Sequence, residues 1–235
     1  VHANDMRLAD MDQDGKMDVV IRHKKPDNVK VIFQNSLTEW TVKSGPSGDE
    51  GEGLSLGDLN NDGRPDIAFT GYWFKAPPAP RTGTYKRYII DKDFHKINPA
   101  SKDDIGDING DGRNDVIISA AESFPKYGGD NHVLAWYECP EDPESGQWRQ
   151  HIIKNDFNEG HFLRLADFDL DGDPDVVSGR AWNTIDLQVY LNDKGSFSQA
   201  VQVAADKGGY SGAVCDMDSD GDIDIVVENT YSSKK

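Results

Sequence analysis

The chain has little cysteine: Cys139 and Cys215 are its only two, 76 positions apart in 235 residues, which excludes a disulfide framework and reads as two unrelated thiols. No apolar run approaches the roughly 20 residues that a membrane-spanning helix needs. The first residues, VHANDMRLAD, lack a signal peptide's apolar stretch, so an export signal is expected to have been removed or to lie outside this sequence. Hydrophobic residues reach only 36%, and 23 Gly with 11 Pro favour many short elements over long helices. Basic residues number 25 against 42 acidic ones and form no stripe, which argues against a nucleic-acid partner.

What is present is a concentration of aspartate. The segment "DMDQDGKMD", residues 10–18, gathers four carboxylates in nine residues. Carboxylates about 4 Å apart repel by roughly 1 kcal/mol in water and by more at lower dielectric, so a cation is expected among them. Asp10, Asp12 and Asp14 fall at loop positions 1, 3 and 5, Gly15 permits the turn at position 6, and Asp18 closes at position 9; Lys16 at position 7 is counted with the candidate ligands. Hard oxygen donors in a flexible loop suit Ca²⁺ better than Mg²⁺ or Zn²⁺.

The motif returns four times. It recurs as "DLNNDGRPD" (Asp58, Asn60, Asp62, Arg64, Asp66), "DINGDGRND" (Asp107, Asn109, Asp111, Arg113, Asp115), "DFDLDGDPD" (Asp167, Asp169, Asp171, Asp173, Asp175) and "DMDSDGDID" (Asp216, Asp218, Asp220, Asp222, Asp224). The starts are 48, 49, 60 and 49 residues apart, a period in the range of propeller blades, with an insertion in the third unit. Positions 1, 3, 5 and 9 hold 18 aspartates, and the remaining 24 acidic residues nearly balance the 25 Lys and Arg. The net charge of −17 is thus invested in the loops, and about five structural Ca²⁺ would bring it to about −7.

An EF-hand would need flanking helices and Glu at position 12, where this chain has Ile21, Phe69, Ile118, Ser178 and Val227. The loops are instead followed by "DVVIR", "DIAFT", "DVIIS", "DVVSG" and "DIVVE", short β-branched runs that read as strands, and preceded by strand-like segments such as "MRLAD" and "LRLAD". Two more strands follow in each of the first four units, for example "VLAWYECP" then "WRQHIIK". Four antiparallel strands per repeat make an all-β propeller. The loops, the blade length and the "WYECPEDP…W" pattern resemble the FG-GAP/VCBS repeat family, the integrin-α-like calcium propellers, over essentially the whole chain. One propeller domain is expected over 1–235, with blades at approximately 1–47, 48–97, 98–157 and 158–206 and a partial one at 207–235; a fragment of a seven-bladed propeller and a five-bladed ring both remain open.

In propellers of this kind the calcium loops lie on one face, and the strand 2–3 and 4–1 connections converge on the other. Six residues before each first Asp lie Asn4, Glu52, Ser101, His161 and Tyr210, expected to form a polar ring at the channel mouth, and three before it lie Arg7, Ser55, Asp104, Arg164 and Ala213. Arg7 and Arg164 would hold a carboxylate or sulfate of an acidic sugar, or else pair internally with Asp104 or Glu52. Tyr127 and Trp182 fall in connecting loops, where an exposed ring can stack on a pyranose. Trp40, Trp73, Trp136 and Trp148 read as packing between blades. His161 beside Glu159, with Tyr210 and Arg164, would also suit a polysaccharide lyase, although no nucleophile motif or zinc spacing is present. The expected function is a secreted or cell-surface binding or adhesion module for carbohydrate or an extracellular protein. A lyase, or a structural block of an extracellular assembly, is the alternative.

Overall fold

The structure, a computed structural model, describes residues 3–23, 29–48, 51–94, 101–121, 132–181, 185–205 and 207–228. Four antiparallel four-stranded sheets follow one another along the chain as blades of a β-propeller. The first is β1 (Asp5–Ala9), β2 (Asp18–Arg22), β3 (Val29–Gln34) and β4 (Trp40–Ser44), in that order. The second repeats it as β5 (Ser55–Gly57), β6 (Asp66–Phe69), β7 (Tyr72–Lys75) and β8 (Lys86–Ile89), and the third as β9 (Ser101–Gly106), β10 (Asp115–Ala120), β11 (Val133–Glu138) and β12 (Arg149–Asn155). The fourth comprises β13 (Gly160–Ala166), β14 (Asp175–Ala181), β15 (Ile185–Asp193) and β16 (Ser196–Ala205). A two-stranded sheet, β17 (Ser211–Cys215) with β18 (Asp224–Glu228), comes last. The inner strands β1, β5, β9, β13 and β17 touch in sequence, so they surround the propeller axis.

The core lies between blades. Phe33 and Val31 of the first blade pack with Ile67 and Phe74 of the second; Trp73 with Val116 and Trp148; Trp136 and Ile117 with Leu163 and Tyr190; Phe162 and Val177 with Val214 and Ile225. A strand covered on both faces needs apolar residues throughout, and β6 and β10, "DIAF" and "DVIISA", are buried at every position. By contrast β2, "DVVIR", alternates, because the other face of the first blade has no neighbour among the described residues. There Met6, Leu8 and Val42 stand 58%, 56% and 62% exposed.

That difference corrects one expectation. Trp73, Trp136 and Trp148 are buried between blades, but Trp40 is 42% exposed. Trp40, Tyr85 and Trp148 begin or immediately precede the fourth strand of their blades, and the latter two pack on the preceding blade, which the first blade lacks among the described residues. Cys139 is buried and Cys215 exposed, and both are free thiols. Among the described residues no helix is long and apolar enough to cross a membrane.

Candidate functional site

Each inner strand ends in an aspartate loop built the same way. The first Asp accepts hydrogen bonds from the backbone amides of positions 5 and 6: Asp14 N and Gly15 N to Asp10 at 3.0 and 2.8 Å, Asp62 N and Gly63 N to Asp58 at 3.1 and 2.6 Å. The turn needs left-handed backbone at position 6, where Gly15, Gly63, Gly112, Gly172 and Gly221 have φ of 84 to 99°. Position 4 is left-handed too, even where it is Gln13 or Leu170. The ninth-position Asp turns inward and ties the loop to strands 2 and 3. Asp66 accepts from Leu59 N at 3.1 Å and Ala76 N at 2.7 Å, and Asp115 from Ile108 N at 3.1 Å and Cys139 N at 2.8 Å. Burial first, and the neighbouring loop carboxylates second, push the carboxyls of Asp66 and Asp115 up to about 7.

Such a set fits a divalent cation. Ligand-type oxygens of Asp10, Asp12 and Asp18 lie within 4.8 Å of one another, as do those of Asp167, Asp169 and Asp175 and of Asp216, Asp218 and Asp224. Asp12 Oδ1 is buried and has no hydrogen-bond partner. Side chains at position 7 divide the loops: Lys16, Arg64 and Arg113 reach back to the position 5 carboxylates, Lys16 to Asp14 at 2.8 Å and Arg64 to Asp62 at 2.6 Å, whereas Asp173 and Asp222 add negative charge.

The other ends of these strands meet at a cavity of about 300 Å³ lined by Asn4, Asp5, Arg7, Glu52, Lys102, His161, Phe162, Arg164 and Tyr210, among others. Five side chains nominated from sequence, Arg7, Glu52, His161, Arg164 and Tyr210, therefore share one site, while Tyr127 and Trp182 lie outside the described residues. The His161 ring is buried and stacked on Tyr210, centroids 4.2 Å apart and 16° from parallel.

Two residues that the register argument passed over organise this mouth. Lys102, on β9, donates to Asp5 Oδ1 at 3.0 Å and Glu52 Oε2 at 3.3 Å; Gly53 N donates to Asp5 Oδ2 at 2.9 Å, and Asn4 Nδ2 to Glu52 Oε1 at 3.3 Å. Burial disfavours charge on Asp5 and Lys102, yet their mutual attraction prevails, holding Asp5 below the usual carboxylate range and Lys102 above the usual amine. The signal was in the sequence: Asp5 and Lys102 occupy the same register, five residues before the first Asp of their loops. Behind them Asp103 is fully buried, accepts from Ser101 Oγ at 3.0 Å, and leaves Oδ2 without a hydrogen-bond partner against Gly53. Burial pushes it up to about 7, with Arg22 opposing.

Arg7 and Arg164 stand apart from this network. Neither pairs with Asp104 or Glu52 or with any other described carboxylate; Arg7 Nη1 donates to Met6 O at 3.0 Å and Arg164 Nη1 to Leu163 O at 2.5 Å. Burial, then the charge of Arg7, draws the half-buried Arg164 guanidinium down to about 10. A larger hollow of about 450 Å³ at the rim, between β4 and β8, is a weaker candidate, since its Lys43 ammonium is committed to the carbonyls of Pro80 and Gly83.

A family model of the FG-GAP-like repeat matches residues 10–69 and 167–227, just over half of the chain. The chain belongs to that family. Each FG-GAP match begins at the first Asp of a loop and ends in the second strand of the following sheet, β6 or β18. No curated protein matches the chain in sequence. Among solved structures, an Agrocybe aegerita lectin described as recognising non-reducing terminal N-acetylglucosamine is similar, with a TM-score of 0.55 and 20% identity over 96% of this chain and 60% of that one. The Dos1 propeller is similar with a TM-score of 0.57 and 15% identity over 90% of this chain and 49% of that one. At these identities the likeness shows the fold alone, and the chain spans less than two thirds of either structure.

Proposed function

We propose that this chain is a secreted, calcium-stabilised propeller module that binds carbohydrate at the mouth of its axial channel. The observation that carries this is the convergence of Arg7, Glu52, His161, Arg164 and Tyr210, from four different blades, on one concave polar site with an aromatic wall. Concave sites with a few convergent polar groups and an apolar wall are the common form of small-ligand sites. The lectin likeness supports a binding module on this fold, and a fold hosts many activities, so the site must carry the rest. The loops are proposed to hold Ca²⁺ and to stiffen the blades, which leaves the metal no part at the mouth.

Incubation of the chain with a panel of oligosaccharides in Ca²⁺ tests the reading. Retention without turnover is expected. Growth of absorbance at 235 nm would instead make it a polysaccharide lyase, with His161 and Arg164 as the residues to substitute. Absence of both would leave a structural block of a larger assembly and refute carbohydrate binding.

A further inference from the structure

The mouth contains cations that the acids among the described residues leave without an ion pair. Asp5 and Glu52, the two carboxylates lining the cavity, are both taken by Lys102 and capped by Gly53 N and Asn4. Asp104, the nearby acid expected to answer Arg164, accepts the backbone amides of Leu165 at 3.0 Å and Ile105 at 3.2 Å instead. Arg7 and Arg164 are thus two guanidiniums on one cavity, each hydrogen-bonded to a neighbouring carbonyl and neither ion-paired with a described carboxylate. Counting Lys102, the lining carries three cations against two carboxylates, in a chain whose net charge is −17.

We infer that Arg7 and Arg164 form a subsite for an anionic sugar residue, bearing a carboxylate or a sulfate, and that Lys102 is the internal counter-ion that keeps them available for it. The inference rests on the carbohydrate reading above and names the class of sugar. Bringing two like charges to a half-buried wall is unfavourable unless an anion comes between them, and a planar guanidinium fork matches both carboxylate and sulfate oxygens. The sugar is favoured over an acidic peptide by the wall beside the arginines: Tyr210, backed by the stacked His161 ring, offers a flat aromatic surface for the C–H face of a pyranose. The volume, about 300 Å³, lies at the small end of ligand sites and suits a terminal residue more than the middle of a chain.

Calorimetric titration of the whole chain in Ca²⁺ with three probes tests this: an oligogalacturonate, a sulfated galactan oligosaccharide and a neutral oligosaccharide of similar length. Binding is expected for one or both charged probes and not for the neutral one; which charged probe wins separates uronate from sulfate. Arg7→Gln and Arg164→Gln are each expected to weaken it about tenfold or more with little change in melting temperature, since Arg7 loses a bond to an exposed carbonyl and Arg164 a bond to a neighbouring carbonyl and a ring contact with Phe162. Arg7→Lys keeps the charge without the fork and is expected to fall between. Equal affinity for the neutral probe, or charged-probe affinity that survives both substitutions, overturns the anionic subsite while leaving carbohydrate binding intact. A poly-glutamate peptide serves as a fourth, sugar-free probe, and its binding where no oligosaccharide binds overturns both.

Discussion

The loop end of each inner strand is almost the same five times over, whereas the mouth end differs in every blade. At the loop end each turn closes within one repeat, first Asp to its own amides and ninth Asp to its own third strand, and bonds such as Gln13 Nε2 to Gly63 O and Asn114 Nδ2 to Asp58 O are added between loops that already close on themselves. At the mouth the bonds run between repeats: Asn4 to Glu52 across 48 positions, Lys102 to Asp5 across 97. Local closure repeats a sequence; closure between blades lets each blade carry a different residue. Binding chemistry has room to vary only at the second end.

Removing calcium is expected to break the loop end with the largest effect. At a site Kd near 10 μM and about 1 mM Ca²⁺, mass action gives roughly 2.7 kcal/mol per site when the unfolded chain does not bind. Five such sites rival the whole stability of an ordinary domain, about 5–15 kcal/mol. Thermal melting in EGTA should fall by tens of degrees, and an unchanged melt would end the stabilising role of the loops.

At the mouth the corresponding break is Lys102→Met, which strands Asp5 and Glu52 in a buried site. Removing one partner from a buried ion pair costs about 3–5 kcal/mol. Urea unfolding of the variant should show a loss of that order both with and without EGTA, because the bonds of Lys102 run to Asp5 and Glu52, at the opposite end of the inner strands from the loops. A loss seen only in Ca²⁺ would mean that the two ends are coupled and the contrast false.

Asp103 sharpens the same contrast through pH. Its carboxyl is raised from 3.8 to about 7 in the folded chain by burial, so the folded state binds a proton that the unfolded state releases between those values. Stability from this group is therefore undiminished below pH 4 and declines as pH rises to about 7, by at most about 4 kcal/mol. Asp103→Asn, which stays neutral and keeps an acceptor for Ser101, should melt like the parent at pH 4 and higher than it at pH 8, with the gap opening between. A gap that does not change with pH would assign the effect to packing.

The sequence disclosed the loop end almost entirely because a repeated motif carries its own test: the five spacings, the glycine and the strand-like flanks agree with one another. The mouth was half legible. Aligning repeats on the first Asp brought Arg7, Glu52, His161, Arg164 and Tyr210 to one cavity, yet it gave no means of telling which acids the arginines would meet, since that depends on Lys102 arriving from two blades away. Trp40 failed for a related reason. Its register equals that of Tyr85 and Trp148, and whether such a residue is buried is decided by the neighbouring blade and not by its own.

The smallest expected effect tests whether the loop end is as uniform as its backbone. In the second loop Arg64 donates to Asp62, a candidate ligand, at 2.6 Å, and so competes with a cation for the same oxygen; in the fourth and fifth loops Asp173 and Asp222 stand at that position. Arg64→Gln removes the competitor and a partly exposed ion pair worth about 0–1 kcal/mol. Its melt in EGTA should thus move by a degree or so, if at all, while terbium luminescence titration should show one site tightened severalfold relative to the parent. If that site does not tighten, the position 7 cation is an ornament of the metal-free loop, and the charge at that position does not set how tightly a loop binds.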